Sequence, residues 1–349
     1  MTSAPVVAAA RGHFIARWDL DKTYLRTEFD TLRDLVKTAI ERPDRKRSVP
    51  GAAALLRELG LTGARIHILS GSPRQMRGVL EEKLRIDRVR WDELTLKPNL
   101  SNMMRLRFRA LRDQLGYKLP ILLSTRAHDQ ASFTNQLVNE ILVGDDAEAD
   151  AFVYSLYADL VSGRVGSRLL ARVLSTGRVY EDQIELCLSS LARIERTEAV
   201  ERILIHLDLQ TPPSRFEDFG QRVVPFYNYL QAAFVLAEDG RLDAPAVLRV
   251  AAEFVLRHRF DADALARSYR DLFRRHHLGG KLVDPLQSAV RDLKAEGGPG
   301  PTEPLERMAE LIAEYVREPA PLREREPSEP DYVDLAAKHK GGKNRKKRR

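Results

Sequence analysis

One cysteine, Cys187, occurs in 349 residues. A lone thiol excludes an internal disulfide, and its setting, Ile184-Glu185-Leu186-Cys187-Leu188, is that of a small buried hydrophobe on a helix. No histidine lies near it in sequence to activate it as a nucleophile. Such sparing cysteine use suits a reducing compartment. Long apolar runs are missing too, and nothing approaches the roughly 18 to 20 residues a spanning helix needs. Residues 1–10 are apolar but have no basic stretch ahead of them, so they do not read as a secretory signal. Glycine-rich nucleotide loops of the P-loop or dinucleotide type are absent. The eight histidines form no metal set; His67 sits in an apolar strand as a core residue, and His276-His277 follow two arginines at a helix end. What remains is a soluble, cytoplasmic protein of about two domains, with 43% hydrophobic residues to build its cores.

Charge is concentrated rather than spread. The formal net charge is +7, yet Lys338 to Arg349 alone carry eight basic residues and no acid. Without those eight, the other 337 residues sit at about −1. The basicity is therefore a property of the tail. It reads as a solvated end or as a tether to a polyanion, with anionic lipid and nucleic acid equally compatible.

Along the chain, residues 1–12 form a flexible leader. Apolar segments ending at Trp18, Leu69 and Val143, with a weaker one around Val89 and Trp91, read as strands. Between them lie helical patterns at 32–40, 52–59, after Pro73, at 102–115 and from Lys118, where Pro120 falls in a first turn. Phe152 to Leu160 is a further helix. Strands alternating with helices predict a three-layer α/β domain over 13–178, a parallel sheet with helices on both faces. From about Tyr180 the spacing of Leu186, Leu191, Ile194, Val200, Ile203, Leu204 and Leu207 is helical, which predicts an all-helical region over 179–294. Residues 295–349 read as a linker, a short helix from Leu305 to Val316 and a basic disordered tail. Phe226, Tyr227 and Tyr229 read as the core of a helix.

The informative residues stand at two strand ends. His13-Phe14-Ile15-Ala16-Arg17-Trp18 delivers the chain into Asp19-Leu20-Asp21-Lys22-Thr23, and Ile141-Leu142-Val143 delivers it into Gly144-Asp145-Asp146-Ala147-Glu148-Ala149-Asp150. Residues i and i+2 of a strand share a side. Asp19 and Asp21 can therefore divide one task, attack by one carboxylate and proton handling by the other. Two buried strands ending in clustered Asp point to a hard cation, for which oxygen ligands are suited. A phosphomonoester dianion repels a carboxylate, so attack on phosphorus needs such a cation.

These residues resemble the haloacid dehalogenase-like hydrolase superfamily. Asp19-Leu20-Asp21-Lys22-Thr23 is similar to its first motif and Ile66-His67-Ile68-Leu69-Ser70 to its second. The acidic run Asp145-Asp146 with Asp150 is similar to its fourth. The third motif is a lysine without strict context, and Lys118, at the start of a helix feeding the acidic strand, is preferred over Lys97, which precedes Pro98 in a surface loop. Over roughly residues 14 to 165, Arg47-Ser48-Val49-Pro50-Gly51 with the following helix, Ser70-Gly71-Ser72-Pro73-Arg74-Gln75 and the Gly144–Tyr154 stretch are similar to the fungal actin-patch phosphatidate phosphatase catalytic-domain family. Asp146 departs from that family, which usually has Ser there. The resemblance implies a Mg²⁺-dependent phosphatase in which Asp19 is the nucleophile and Asp21 the acid and base. Lys118 neutralises charge. Thr23, Ser70 and Gly71 meet the substrate. Asp19, the Asp21 carbonyl and Asp145 hold the metal, with Asp150 and Asp146 behind them. The substrates it implies are phosphate monoesters, phosphatidate or another lipid phosphate among them, reached by a cytoplasmic protein that visits a membrane surface. The rival reading is a non-enzymatic binding protein that works through its helical half and its basic tail. Ser72 reads as the N-cap of the helix after Pro73.

Overall fold

The computed structural model describes residues 13–25, 48–97, 111–133, 136–297, 300–318 and 329–345. The leader 1–12, the helical spacing of 26–47, the basic stretch 102–110 and the end of the tail at 346–349 lie outside the described residues. Six strands, β1 (His13–Asp19), β2 (Arg65–Pro73), β3 (Glu93–Lys97), β4 (Val138–Asp145), β5 (Val200–His206) and β6 (Val223–Phe226), form one sheet in the order β3-β2-β1-β4-β5-β6. Every neighbouring pair is parallel. The strand expected near Val89 and Trp91 lies further on, at β3; Val89 instead buries its side chain in the turn before it.

Alternation along the strands builds a core on each face. Phe14, Ala16 and Trp18 of β1, with Ile141 and Val143 of β4, face one core. Helices α1 (Ala52–Leu61), α2 (Arg77–Ile86), α7 (Tyr229–Glu238), α8 (Ala244–His258), α9 (Ala262–Arg274), α10 (Val283–Ala295) and α11 (Thr302–Arg317) cover it. Leu142, Ile203 and Ile205 face the other core, under α3 (Leu111–Ser132), α4 (Asp150–Ser162), α5 (Ser167–Thr176), α6 (Glu181–Leu191) and α12 (Tyr332–Arg345). Cys187 is fully buried there, and burial pushes its thiol up to about 12. Among the described residues no helix is long and apolar enough to cross a membrane.

Three expectations need correction. The region 179–294 is not all-helical, because Val200–His206 and Val223–Phe226 complete the sheet. Val200, Ile203, Leu204 and Leu207 fit a helical period, but a strand buried on both faces is a near-continuous apolar run that periodicity alone cannot separate from a helix. The sheet and both cores thus continue past residue 178. Contacts on α1 show the same continuity. Gly51 enters α1 with φ +80, and a Cβ there would stand 2.5 Å from the Phe254 ring of α8. Next, α3 starts at least seven residues before Lys118, and Pro120 lies in its interior. Proline there frees the carbonyl four residues earlier, and that residue is Gly116. Finally, part of the expected disordered tail is helix α12, whose Tyr332 and Ala336 are buried. The Tyr332 hydroxyl donates to Asp159 of α4 at 2.5 Å.

One buried charge network ties the central strands to α3. Arg17 of β1 donates to Asp129 at 2.7 Å and to Thr125 at 2.9 Å, and it bonds Glu140 of β4. Glu140 also accepts from Tyr157 of α4 at 2.6 Å. Burial opposes ionisation of Glu140, but Arg17 and Arg126 outweigh it and hold the carboxyl below its ordinary range. His67, expected to be satisfied in the core, is so only at Nδ1, 3.5 Å from Arg17 and from Glu93; its Nε2 has no partner.

Candidate active site

The chain turns from β1 to β2 and β3 on one side of the sheet, then crosses to β4 on the other. The carboxyl ends of β1 and β4 therefore flank a topological switch point, where open α/β sheets hold ligands. Asp19 ends β1 and Asp145 ends β4, so the two acidic segments meet there. Past Asp19 the chain makes a tight turn: Lys22 has φ 59, and the Tyr24 and Leu25 amides donate to the Leu20 carbonyl at 3.0 and 2.9 Å. That turn brings Thr23 back, its hydroxyl 3.4 Å from Asp19 Oδ2 and 3.3 Å from Asp145 Oδ2, with one proton to share between them.

Lys118 reaches this point from α3. Its ammonium lies 3.0 Å from Asp19 and 2.8 Å from Glu148, and it bonds Asp150 at the start of α4. Asp150 does two things: its Oδ1 takes Lys118, while its Oδ2 accepts the Asp145 amide at 3.1 Å. Gly144 makes room for this contact, since a Cβ there would fall 2.3 Å from Asp150 Oδ2. Asp145 is further fixed by the Ala147 and Glu148 amides at 2.6 and 3.1 Å. On the other side Asp21 accepts the Ser70 hydroxyl at 2.9 Å and the Ser72 hydroxyl at 3.4 Å. Ser72 is thus turned to Asp21 and caps no helix; Pro73 leads into a short 3₁₀ turn, Arg74–Met76, before α2. The Tyr117 hydroxyl donates to the Ser70 carbonyl at 2.6 Å.

Asp19, Asp145 and Asp150 are almost wholly buried, and each presents one oxygen within 4.8 Å of the others. This trio can hold a metal ion. Burial raises all three carboxyls above their ordinary range, Lys118 pulls the other way, and repulsion from neighbouring acids, Glu148 for each of them, adds to the rise. Burial likewise works against the Lys118 ammonium, but Asp150, Asp19 and Glu148 overcome it and keep it charged. One ammonium among so many carboxylates leaves surplus negative charge in a dry place, which fits a hard cation on oxygen donors. All three carboxylates already meet protein groups: Asp19 meets Lys118 and Thr23, Asp145 two amides and Thr23, and Asp150 Lys118 and the Asp145 amide.

Sequence reasoning misplaced or missed several participants. Asp146 was expected behind the metal; both its oxygens instead accept the Leu209 and Thr211 amides, at 2.8 and 2.9 Å, and anchor the loop after β5. Lys97 was expected in a surface loop but ends β3 and is buried. Phe226 ends β6 and Tyr229 opens α7, so the expected helical aromatic core straddles two elements. Tyr229 supports the turn after Asp19: its ring stacks on Trp18 and His206, and its hydroxyl donates to the Thr23 carbonyl at 2.5 Å. His206 Nδ1 lies 3.3 Å from the neighbouring Lys22 carbonyl. Tyr229→Phe should keep the packing, orphan that buried carbonyl and cost about 1 to 3 kcal/mol in urea unfolding. An unchanged unfolding midpoint would show that the Thr23 carbonyl does not depend on Tyr229.

No family model, curated protein or solved structure matches the chain.

Proposed function

We propose that the chain is a Mg²⁺-dependent phosphatase of the haloacid dehalogenase-like kind. The observation that carries this reading is the placement of Asp19, buried at a strand end 3.0 Å from the Lys118 ammonium, with Asp145 beside it and Asp21 across from it on Ser70. Strand order supports it too, since the switch point lies at Asp19 and Asp145. In this reading an Asp19 oxygen attacks phosphorus and the ester P–O bond breaks. Asp21 gives its proton to the departing alkoxide, then takes one from the water that hydrolyses the aspartyl-phosphate. Ser70 and the backbone at Gly71 face the phosphate oxygens. Thr23 steadies Asp19. Mg²⁺, held by Asp19 and Asp145, would supply the positive charge that lets an anionic nucleophile approach an anionic ester.

Hydrolysis of a generic aryl phosphate tests the reading. Turnover should require Mg²⁺, stop in excess chelator and fall at least about a hundredfold in Asp145→Ala. Unchanged rates in chelator would overturn the metal, and no turnover under any condition would favour the rival binding protein. For the substrate we propose a phosphate monoester of the lipid-phosphate class, to be screened against phosphopeptides and nucleotides.

The basic tail we propose as a tether to an anionic surface. Its helix begins docked, through Tyr332 and Ala336, on the face that carries α4 and α5. Removing 338–349 should leave aryl phosphate hydrolysis unchanged and weaken binding to acidic vesicles at low salt. Equal vesicle binding by the shortened chain would make the tail a solubilising end.

A further inference from the structure

Lys118 has its charge shared among Asp19, Glu148 and Asp150, all within ion-pair distance. A tetrahedral oxyanion arriving at Ser70 gains from a second fixed cation, and Lys97 stands beside that place, since its neighbour Leu96 pairs with Ser70 across the sheet. Lys97 ends β3 in register with Pro73, next to the irregular end of β2 that carries Ser70 and Ser72, and is only 5% exposed. Its ammonium lies 4.5 Å from the centre of the Tyr117 ring, and the Tyr117 hydroxyl holds the Ser70 carbonyl. An ammonium over an aromatic face keeps part of the stabilisation it loses on leaving water. Burial depresses the Lys97 pKa, and the charges that act on it are Glu148, Lys118, Asp113 and Asp21. Asp21 bonds Ser70 and Glu148 meets Lys118, so both belong to the site.

We propose that Lys97, seated on Tyr117, is an oxyanion-binding residue that holds the oxygens of inorganic phosphate or of an ester's phosphoryl group beside Ser70. The proposal rests on the phosphatase reading. It separates Lys97, which binds, from Lys118, which organises the carboxylates. Lys97→Met removes the charge and keeps the stem, whereas Lys97→Arg restores the charge.

The test is calorimetric titration of inorganic phosphate into the full-length chain with Mg²⁺, alongside thermal unfolding. Lys97→Met should weaken phosphate binding at least about tenfold, the loss of one charged hydrogen bond, and Lys97→Arg should recover most of it. Tyr117→Leu removes the ring beneath the ammonium and also the hydroxyl on the Ser70 carbonyl, so it is read against Tyr117→Phe, which loses the hydroxyl alone; it should weaken binding beyond Tyr117→Phe, and the pair stands in if Lys97→Met does not fold. Unchanged phosphate affinity in a folded Lys97→Met, or equal affinity in Tyr117→Leu and Tyr117→Phe, overturns the proposal. If the unaltered chain turns over aryl phosphate yet binds no phosphate, Lys97 alone is misassigned. If it does neither, the phosphatase reading falls and takes this proposal with it.

Discussion

Asp19→Asn should abolish aryl phosphate turnover, lowering it by more than about a thousandfold, while the chain folds as before. An amide of the same size cannot attack phosphorus, and no neighbouring carboxylate is free to replace it. Asp145 is held by two backbone amides and Asp150 by Lys118 and the Asp145 amide. Folding should be undisturbed because Asp19 is a buried carboxylate in a cluster with surplus negative charge, raised above its ordinary range by burial and by its neighbours. Removing that charge relieves repulsion while Lys118 keeps Asp150 and Glu148. The expected pair of results is lost turnover with an unfolding temperature equal to or above that of the unaltered chain. Residual activity above about a tenth would make Asp19 the wrong nucleophile.

Lys118→Ala should cost both activity and stability. The buried ammonium is the shared partner of three carboxylates, and breaking a buried ion pair from one side costs about 3 to 5 kcal/mol. Turnover should fall far more than in Lys97→Ala, because only Lys118 sits against Asp19. The pH dependence has a definite sign. In chelator, Asp19, Asp145 and Asp150 have folded-state pKa values above their unfolded ones, so the native state binds more protons and stability falls as pH rises through and above the ordinary carboxylate range. Without Lys118 that fall should steepen, so the variant should be closest to the unaltered chain at mildly acid pH. Urea unfolding at several pH values measures it. A variant equally destabilised at all pH values would show that the lost packing, and not the charge, matters.

Local sequence carried the site's outline because its parts sit at strand ends. An apolar run closing on Asp19 or Asp145, or on Ser70, is visible without any partner. Lys118, preferred over Lys97 because it stands before the acidic strand, lies 3.0 Å from Asp19, though its helix begins earlier than the proline suggests. What local sequence could not show lies across the fold. Lys97-Pro98 looks like a loop, yet Lys97 pairs with Pro73 in the sheet. Asp146 looks like one more solvated acid, yet two amides of a loop more than 60 residues later take its oxygens, at separations of 63 and 65. β5 was read as helix because a strand covered on both faces has no alternation to betray it. Arg17 sits inside an apolar run and gives no local sign that Glu140, 123 residues away, will receive it.

Tyr229 lies 206 residues downstream of the Thr23 carbonyl it supports. On a ribosome Asp19 and its turn are made some 206 residues before the ring that underpins that turn. Even β1, the strand that bears Asp19, must wait for β4 before it has a neighbour on each side. At about 5 to 20 residues per second, the nascent chain spends roughly ten seconds or more with Asp19 made but the turn after it unsupported. The turn after Asp19 therefore gains its support late, and a chain released before residue 229 would carry every acid of the cluster without the ring that holds the Thr23 carbonyl.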